Sequence, residues 1–77
     1  MKTAWYYRNR VLPKRPYLKD EWCEFVINSR VRVEAQEEDG RIRHWAYIPE
    51  TAHCLRVITL EDGETVFNAF PDSGFRR

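Results

Sequence analysis

Long apolar runs, cysteines and cofactor-binding motifs are scarce or missing in this sequence. The first apolar stretch is interrupted by Arg8 and Arg10, and no later stretch is long and uncharged enough to span a membrane, so neither a signal sequence nor a membrane span is predicted. The two cysteines, Cys23 and Cys54, lack the spacing of a zinc site or a disulfide framework, and we expect two reduced thiols. These absences predict a soluble, cytoplasmic protein that makes no membrane contact.

The chain also lacks the short motifs of the common catalytic and cofactor-binding sites. It contains no P-loop, GxGxxG, HExxH, CxxC or GxSxG pattern, so we expect neither a cofactor nor a metal ion. A chain of 77 residues has room for one hydrophobic core, which predicts a single domain.

Positive charge is concentrated at the start of the chain. Residues 1–19 contain six Lys and Arg side chains and no acidic one, whereas the rest of the chain contains seven basic and twelve acidic residues. Two prolines near the end of this segment favour an extended connector. We therefore predict a basic aromatic arm at 1–17, mobile or forming a short edge strand, followed by one domain at 18–77. Such an arm is suited to phosphate or to an acidic partner.

The remaining pattern predicts one helix and four strands. Apolar residues recur with helical spacing over 18–29, and Asp20 and Glu21 suit the first turn of a helix. Beyond it the apolar period drops to two, as in half-buried strands, with Asp-Gly turns between two of the runs. The predicted strands cover residues 30–36, 41–48, 55–60 and 65–70. The predicted fold class is α+β, with the helix packed on a four-stranded antiparallel meander.

Alternation places a basic and aromatic set on one face of the second strand, joined by an arginine of the third. Arginines and aromatic rings on a sheet suit RNA, through phosphate contacts and base stacking. The alternative is that the rings are ordinary cross-strand packing residues and the arginines a solvated face. The set consists of Arg41, Arg43, Trp45, Tyr47 and Arg56.

Two further polar residues are candidates for a site. His44 could transfer a proton near neutral pH, but it shares its parity with Ile42 and Ala46, which favours a half-buried core position. Asn68 lies between Val66 and Phe70 on one parity, where a buried amide needs hydrogen-bond partners; it either caps the sheet end or faces a pocket. The apolar residues around it are expected in the core, namely Val57, Ile58, Val66 and Phe67.

A run of short motifs from Asp39 onward resembles a known group. It contains Asp-Gly-Arg, the step Trp-x-Tyr-Ile-Pro-Glu, Leu-Arg-Val, a second Asp-Gly turn and a closing Asn-Ala-Phe-Pro-Asp. In this order the motifs resemble small bacterial proteins related to the RelE and barnase-like toxin fold. The resemblance extends from Leu18 to Phe75 and leaves out the basic arm.

This resemblance implies a helix-plus-antiparallel-sheet fold and an RNA-facing sheet, because the group includes toxins that cleave messenger RNA. Their catalytic polar residues lie on the sheet face away from the helix and near the last strand, the places of Arg43, Arg56 and Asn68 here. The two arginines would stabilise phosphate, and His44 would transfer a proton. A protein partner such as an antitoxin is then also expected. The competing interpretation is a non-catalytic protein-interaction module that uses the arm or an exposed sheet edge, joining a partner or a second copy of itself.

Overall fold

The computed structural model describes residues 1–74. It contains one main helix and a four-stranded sheet, preceded by a short helical segment that we call the N-terminal helical segment. In chain order the elements are the N-terminal helical segment Tyr7–Val11, α1 Asp20–Ser29, β1 Arg32–Ala35, β2 Ile42–Ile48, β3 His53–Thr59 and β4 Val66–Pro71. This confirms the predicted α+β fold, with α1 packed on an antiparallel meander in the order β1-β2-β3-β4.

The helix ends where the backbone turns left-handed. Asp20 and Glu21 lie in the first turn of α1, where carboxylates interact favourably with the helix dipole. Arg30 follows the last turn with φ 51°, a conformation that cannot continue an α-helix and that lets the chain leave into β1. Gly40 and Gly63, at φ 74° and 71°, supply the positive φ that the predicted Asp-Gly turns require.

The core lies between the sheet and the helical segments. Ala46 on β2 and Leu55 on β3 are register partners, as are Val57 and Ala69 on β3 and β4, and these residues share one buried cluster with α1. Both helical segments of residues 1–74 contribute to that cluster. Neither helical segment lies on the opposite side of the sheet, and we call that side the uncovered face for this reason alone.

An irregularity in the last hairpin changes which side chains share a face. Ile58 pairs with Asn68, but Thr59 pairs with Val66, so Phe67 is the extra residue of a bulge. Val66 is fully buried in the core, whereas Asn68 lies opposite Ile58 on the uncovered face. The single parity predicted for Val66, Asn68 and Phe70 is therefore wrong, because a bulge interrupts the two-residue alternation. Among the expected core residues, Val57 and Val66 are fully buried, and Ile58 and Phe67 are only partly buried.

The basic arm predicted at residues 1–17 is not confirmed. Thr3 forms a parallel bridge with Val66 at the outer edge of β4, and the N–H of Ala4 donates to the Val66 carbonyl at 2.8 Å. The chain then enters the N-terminal helical segment, where Tyr7 is 0% and Val11 2% exposed within the core. The segment is thus part of the domain, because its apolar residues complete the core beside β4.

Candidate nucleic-acid interface

Cations and aromatic rings alternate in a row across the uncovered face. Register pairing places Trp45 opposite Arg56, and Arg56 opposite Phe70, on three neighbouring strands. The Arg56 guanidinium lies 5.2 Å from the centre of the Trp45 ring and 5.0 Å from that of Phe70. Arg15 extends the row, since its guanidinium lies 5.7 Å from the Phe70 ring. These distances are within the range of cation–π attraction, and we call the four residues the cation–aromatic row.

Asp72, just beyond β4, holds the centre of this row. Its Oδ2 accepts hydrogen bonds from Arg56 Nη2 at 2.7 Å, Arg56 Nε at 3.1 Å and Trp45 Nε1 at 3.0 Å. The Trp45 hydrogen bond and then the Arg56 guanidinium lower the pKa of the Asp72 carboxyl. The positive charge of Arg56 is thereby compensated, and Trp45 is only 4% exposed although it lies on the uncovered face.

The other two predicted arginines also have local partners. Arg43 donates from Nε to Gln36 at 2.9 Å and lies 3.8 Å from a Glu38 carboxylate oxygen. Arg41 pairs with Asp39 at 3.2 Å, and its guanidinium lies 3.9 Å from the centre of the Phe67 ring. The sequence prediction missed these acceptors because they belong to the hairpin turn. The run of acidic residues at 37–39 was the available signal.

Of the predicted binding set, Arg43, Trp45, Tyr47 and Arg56 share the uncovered face, as the alternation predicts. Tyr47 is half-buried and pairs in register with Cys54. Trp45 is a packing residue, as the alternative interpretation of the sequence has it, and Arg41, Arg43 and Arg56 form ion pairs with neighbouring carboxylates. Both cysteines are buried free thiols on opposite sides of the sheet, with Cys23 in the core near the Tyr7 hydroxyl at 3.4 Å.

Cations without a carboxylate partner lie mainly in residues 1–19, which we call the basic N-terminal segment. Arg8 pairs with Asp20 and Lys2 with Glu64, but among residues 1–74 four further cations of this segment form no ion pair. They are Arg10, Lys14, Arg15 and Lys19. Three of them lie over aromatic rings: Arg10 over Trp5, Arg15 over Phe70, and Lys19 over Trp22. Sequence reasoning noted this charge but assigned it to a separate arm, and so missed Arg15 as part of the sheet surface.

The four candidate catalytic residues are not brought together. Arg43, Arg56 and Asn68 lie on the uncovered face, whereas His44 pairs in register with Val57 on the face that carries the core. His44 is 5% exposed, and its Nε2 lies 2.9 Å from Thr59 Oγ1. Asn68 uses its Oδ1 to accept the backbone N–H of Ala69 at 2.8 Å. Of the two sequence-based readings of His44, the buried position is the one found.

Burial makes the charged form of His44 costly. Its Nδ1 is buried and has no hydrogen-bond partner among residues 1–74. Burial, and in second place the charge of Arg30, lowers the pKa of the imidazole below its ordinary value. The folded protein therefore favours neutral His44. At a pH between the two pKa values, the imidazole binds a proton in the unfolded chain but not in the folded protein.

We expect the free energy of unfolding to fall as pH is lowered below about 6.5, with a limiting slope of about 1.4 kcal/mol per pH unit. Above the unfolded-state pKa of His44 this loss of stability is absent, because the imidazole is then neutral in both the folded and the unfolded state. Urea unfolding at pH 7, 6 and 5 measures it, and His44→Gln should remove this slope since Gln can still bond Thr59 but cannot titrate. His53→Gln, at an exposed position, is the matched control. An unchanged slope in His44→Gln would contradict the assignment.

The carboxyl of Asp62 does not interfere with this measurement. Hydrogen bonds from Thr65 lower its pKa to about 2, so its contribution to the pH dependence of stability falls at a lower pH than the experiment covers.

Metal and membrane sites are not indicated in the described part of the chain. Within residues 1–74 no group of three or more His, Cys, Asp or Glu side chains could hold a metal ion. The helices in the same range are too short or too polar to cross a bilayer.

Comparisons with protein-family models, curated proteins and solved structures do not indicate a family or a function for this chain. The resemblance to the RelE and barnase-like toxins therefore stays an expectation drawn from the sequence. No family model, no curated protein and no solved structure matches this chain.

Proposed function

We propose that this protein binds single-stranded RNA across its uncovered face, as a binding protein and not as a nuclease. The observation that carries the proposal is the position of Arg15. It belongs to the basic N-terminal segment, has no carboxylate partner among residues 1–74, and lies over Phe70 at the end of the cation–aromatic row. Unpaired positive charge and a half-buried aromatic ring are thus adjacent, the combination that a backbone phosphate and a stacked base require.

The two kinds of contact come from different parts of the surface. Lys14 and Arg15 are neighbours in the chain and supply phosphate contacts, which depend on salt and not on base sequence. The Phe70 ring, which Arg15 and Arg56 contact in the described structure, supplies a stacking surface when Arg15 turns to a phosphate, and the exposed rings of Trp5 (66%) and Tyr17 (51%) flank the same basic segment in sequence. Arg41, Arg43 and Arg56 contribute less net charge because each lies beside a carboxylate, of Asp39, Glu38 and Asp72 respectively.

The arrangement favours binding over cleavage. Cleavage through the 2′-hydroxyl needs a group that takes a proton close to the phosphate. His44 is buried on the other side of the sheet from Arg43 and Arg56, so it does not face a phosphate held by them. Asn68, the other candidate on the uncovered face, carries an amide that does not titrate, and the Asp72 carboxylate there is already engaged by Arg56 and Trp45.

The double variant Lys14→Ala/Arg15→Ala tests the proposal. We expect weaker RNA binding by about tenfold to thirtyfold near 0.1 M salt, and a salt slope of log affinity that is smaller by about 1.4, because each phosphate contact on a single strand contributes about 0.7. Fluorescence anisotropy with a labelled mixed-sequence RNA of about 12 nucleotides, at several salt concentrations, measures both quantities.

The matched control is Arg30→Asn, which also removes positive charge but lies beside β1, at the other edge of the sheet. Asn tolerates the left-handed backbone of that position, so the fold is retained. The control removes one charge and the double variant two, so equal losses of binding free energy per charge removed would show non-specific attraction and overturn the proposal, as would the absence of RNA binding by the unaltered protein. Gel analysis of the recovered RNA should show intact strands, and specific cut product would contradict the assignment as a binding protein.

A further inference from the structure

Among residues 1–74, β1 is an edge strand with one side unpaired. In the part of the chain that the structure describes, no strand pairs with its outer edge, since β1 is first in the sheet order. Its apolar side chains are exposed, with Val31 67% and Val33 44% accessible to solvent. Monomeric proteins commonly block such an edge with Pro, a bulge or charged side chains; residues 31–35 contain neither Pro nor a bulge, and their two charges, Arg32 and Glu34, are of opposite sign.

The hydrogen-bond pattern shows which backbone groups point outward. The Gln36 N–H donates to the Arg41 carbonyl at 2.7 Å, so this pair is a hydrogen-bonded one. Hydrogen-bonded pairs alternate along an antiparallel ladder, which makes Glu34 and Arg32 the next residues bonded to β2. The N–H and C=O groups of the intervening residues, Val31, Val33 and Ala35, therefore face away from β2.

We propose that β1 pairs with β1 of a second copy, antiparallel and centred on Val33, to form a symmetric dimer with one continuous sheet. In this register Val33 lies opposite Val33 of the second copy, and Val31 opposite Ala35. Each of these pairs uses outward-facing backbone groups and exchanges two hydrogen bonds. The inference does not depend on RNA binding, which is assigned to the other edge and to the uncovered face.

Charge selects this partner and this register. Arg32 and Glu34 are on the same face of β1 and pair with each other within the strand, with Arg32 Nε 2.9 Å from Glu34 Oε2. Two-fold pairing about Val33 places each Arg32 opposite Glu34 of the second copy, so opposite charges meet twice across the interface. Centring the pairing on Val31 would instead place Arg30 opposite Arg32. The sequence Val-Arg-Val-Glu-Ala is therefore complementary to itself in only the central register of the three that the outward-facing groups permit.

The helix side of β1 leaves room for the second copy. A groove of about 420 Å³ lies there, and its lining includes Ile27, Val33 and Ile42. The Val33 side chains of a pair would meet at this groove, where they remove exposed apolar surface from water. A single strand pair is a small interface, so we expect a dimer with a dissociation constant in the micromolar range.

Charge exchange at the interface tests the proposal. Arg32→Glu alone places acidic groups opposite each other, and Glu34→Arg alone places basic groups opposite each other, so each variant should raise the dimer dissociation constant at least tenfold. Mixed together, the two single variants should form a heterodimer, because each supplies the charge that the other now lacks. The double variant Arg32→Glu/Glu34→Arg should restore the homodimer. Sedimentation velocity from about 10 μM to 1 mM covers the expected range.

The readouts separate loss of pairing from loss of fold. Far-UV circular dichroism should be the same for all variants, and in the unaltered protein the amide protons of Val31, Val33 and Ala35 should exchange more slowly at high protein concentration. A monomer at about 1 mM would overturn the proposal, given the affinity expected of an edge pair. Dimerisation of both single variants with unaltered affinity, or a mixture of folded single variants that fails to associate, would overturn it too.

Discussion

Replacing Tyr7 by Ala should lower the free energy of unfolding by about 3–5 kcal/mol, the usual cost of truncating a buried aromatic ring. Tyr7 is 0% exposed and is among the largest fully buried side chains of the protein. Its hydroxyl lies 3.4 Å from Cys23 Sγ on α1, so the ring joins the N-terminal helical segment to the main helix. Its removal would leave a cavity between these two elements, and a domain of this size has little stability to spare.

Urea unfolding of Tyr7→Ala, followed by circular dichroism, measures the effect. Trp5→Ala is the matched control, because it removes a larger ring two residues before Tyr7, at a position that is 66% exposed. Tyr7→Phe keeps the ring and removes only the hydroxyl, and we expect a loss of about 1 kcal/mol. Equal, small effects of Tyr7→Ala and Trp5→Ala would mean that the segment is the loose arm that its composition suggests.

Asp72→Asn should affect stability and RNA binding in opposite directions. The carboxylate accepts from Trp45 Nε1 and from two nitrogens of Arg56, and the amide can satisfy these donors only in part. We expect the free energy of unfolding to fall by roughly 1.5–3 kcal/mol, the range for hydrogen bonds to charged groups. RNA affinity should rise severalfold, since the Arg56 charge is no longer compensated and can attract phosphate.

The two effects of Asp72→Asn require separate measurements on folded protein. Urea unfolding gives the stability change, and RNA anisotropy well below the unfolding midpoint gives the affinity. Asp39→Asn removes the same charge beside Arg41 on an exposed turn and should change stability less. A folded Asp72→Asn protein with weaker RNA binding would show that Arg56 must be held in place by Asp72, and would contradict the view that Asp72 competes with phosphate.

Sequence patterns predicted the elements well because short-range forces determine them. The alternation from Arg41 to Tyr47 required a half-buried strand, and the structure places Arg43, Trp45 and Tyr47 on one face as predicted. The helix follows from its apolar stripe and acidic first turn, and the turns from glycines that tolerate positive φ. Each of these signals acts within a few residues, so each is legible in a single sequence.

The candidate site was less predictable because its geometry depends on residues distant in the chain. A bulge placed Val66 and Asn68 on different faces, which strict alternation cannot anticipate. Asp72, just after β4, pairs with Arg56 on the neighbouring β3, and Arg15 reaches Phe70 from the opposite end of the chain. None of these pairings has a local sequence signal, since each is made only when the sheet has formed.

The sequence by itself determined the fold class, the helix and the order of the strands, all of which follow from local propensity and side-chain period. Only the tertiary structure decided which side of the sheet each polar residue occupies and which charges remain uncompensated. It separated His44 from Arg43 and Arg56, and it turned a basic N-terminal segment into part of the core. The physical reason is that burial and pairing of charges are properties of the packed chain, in which residues far apart in sequence compete for the same partners.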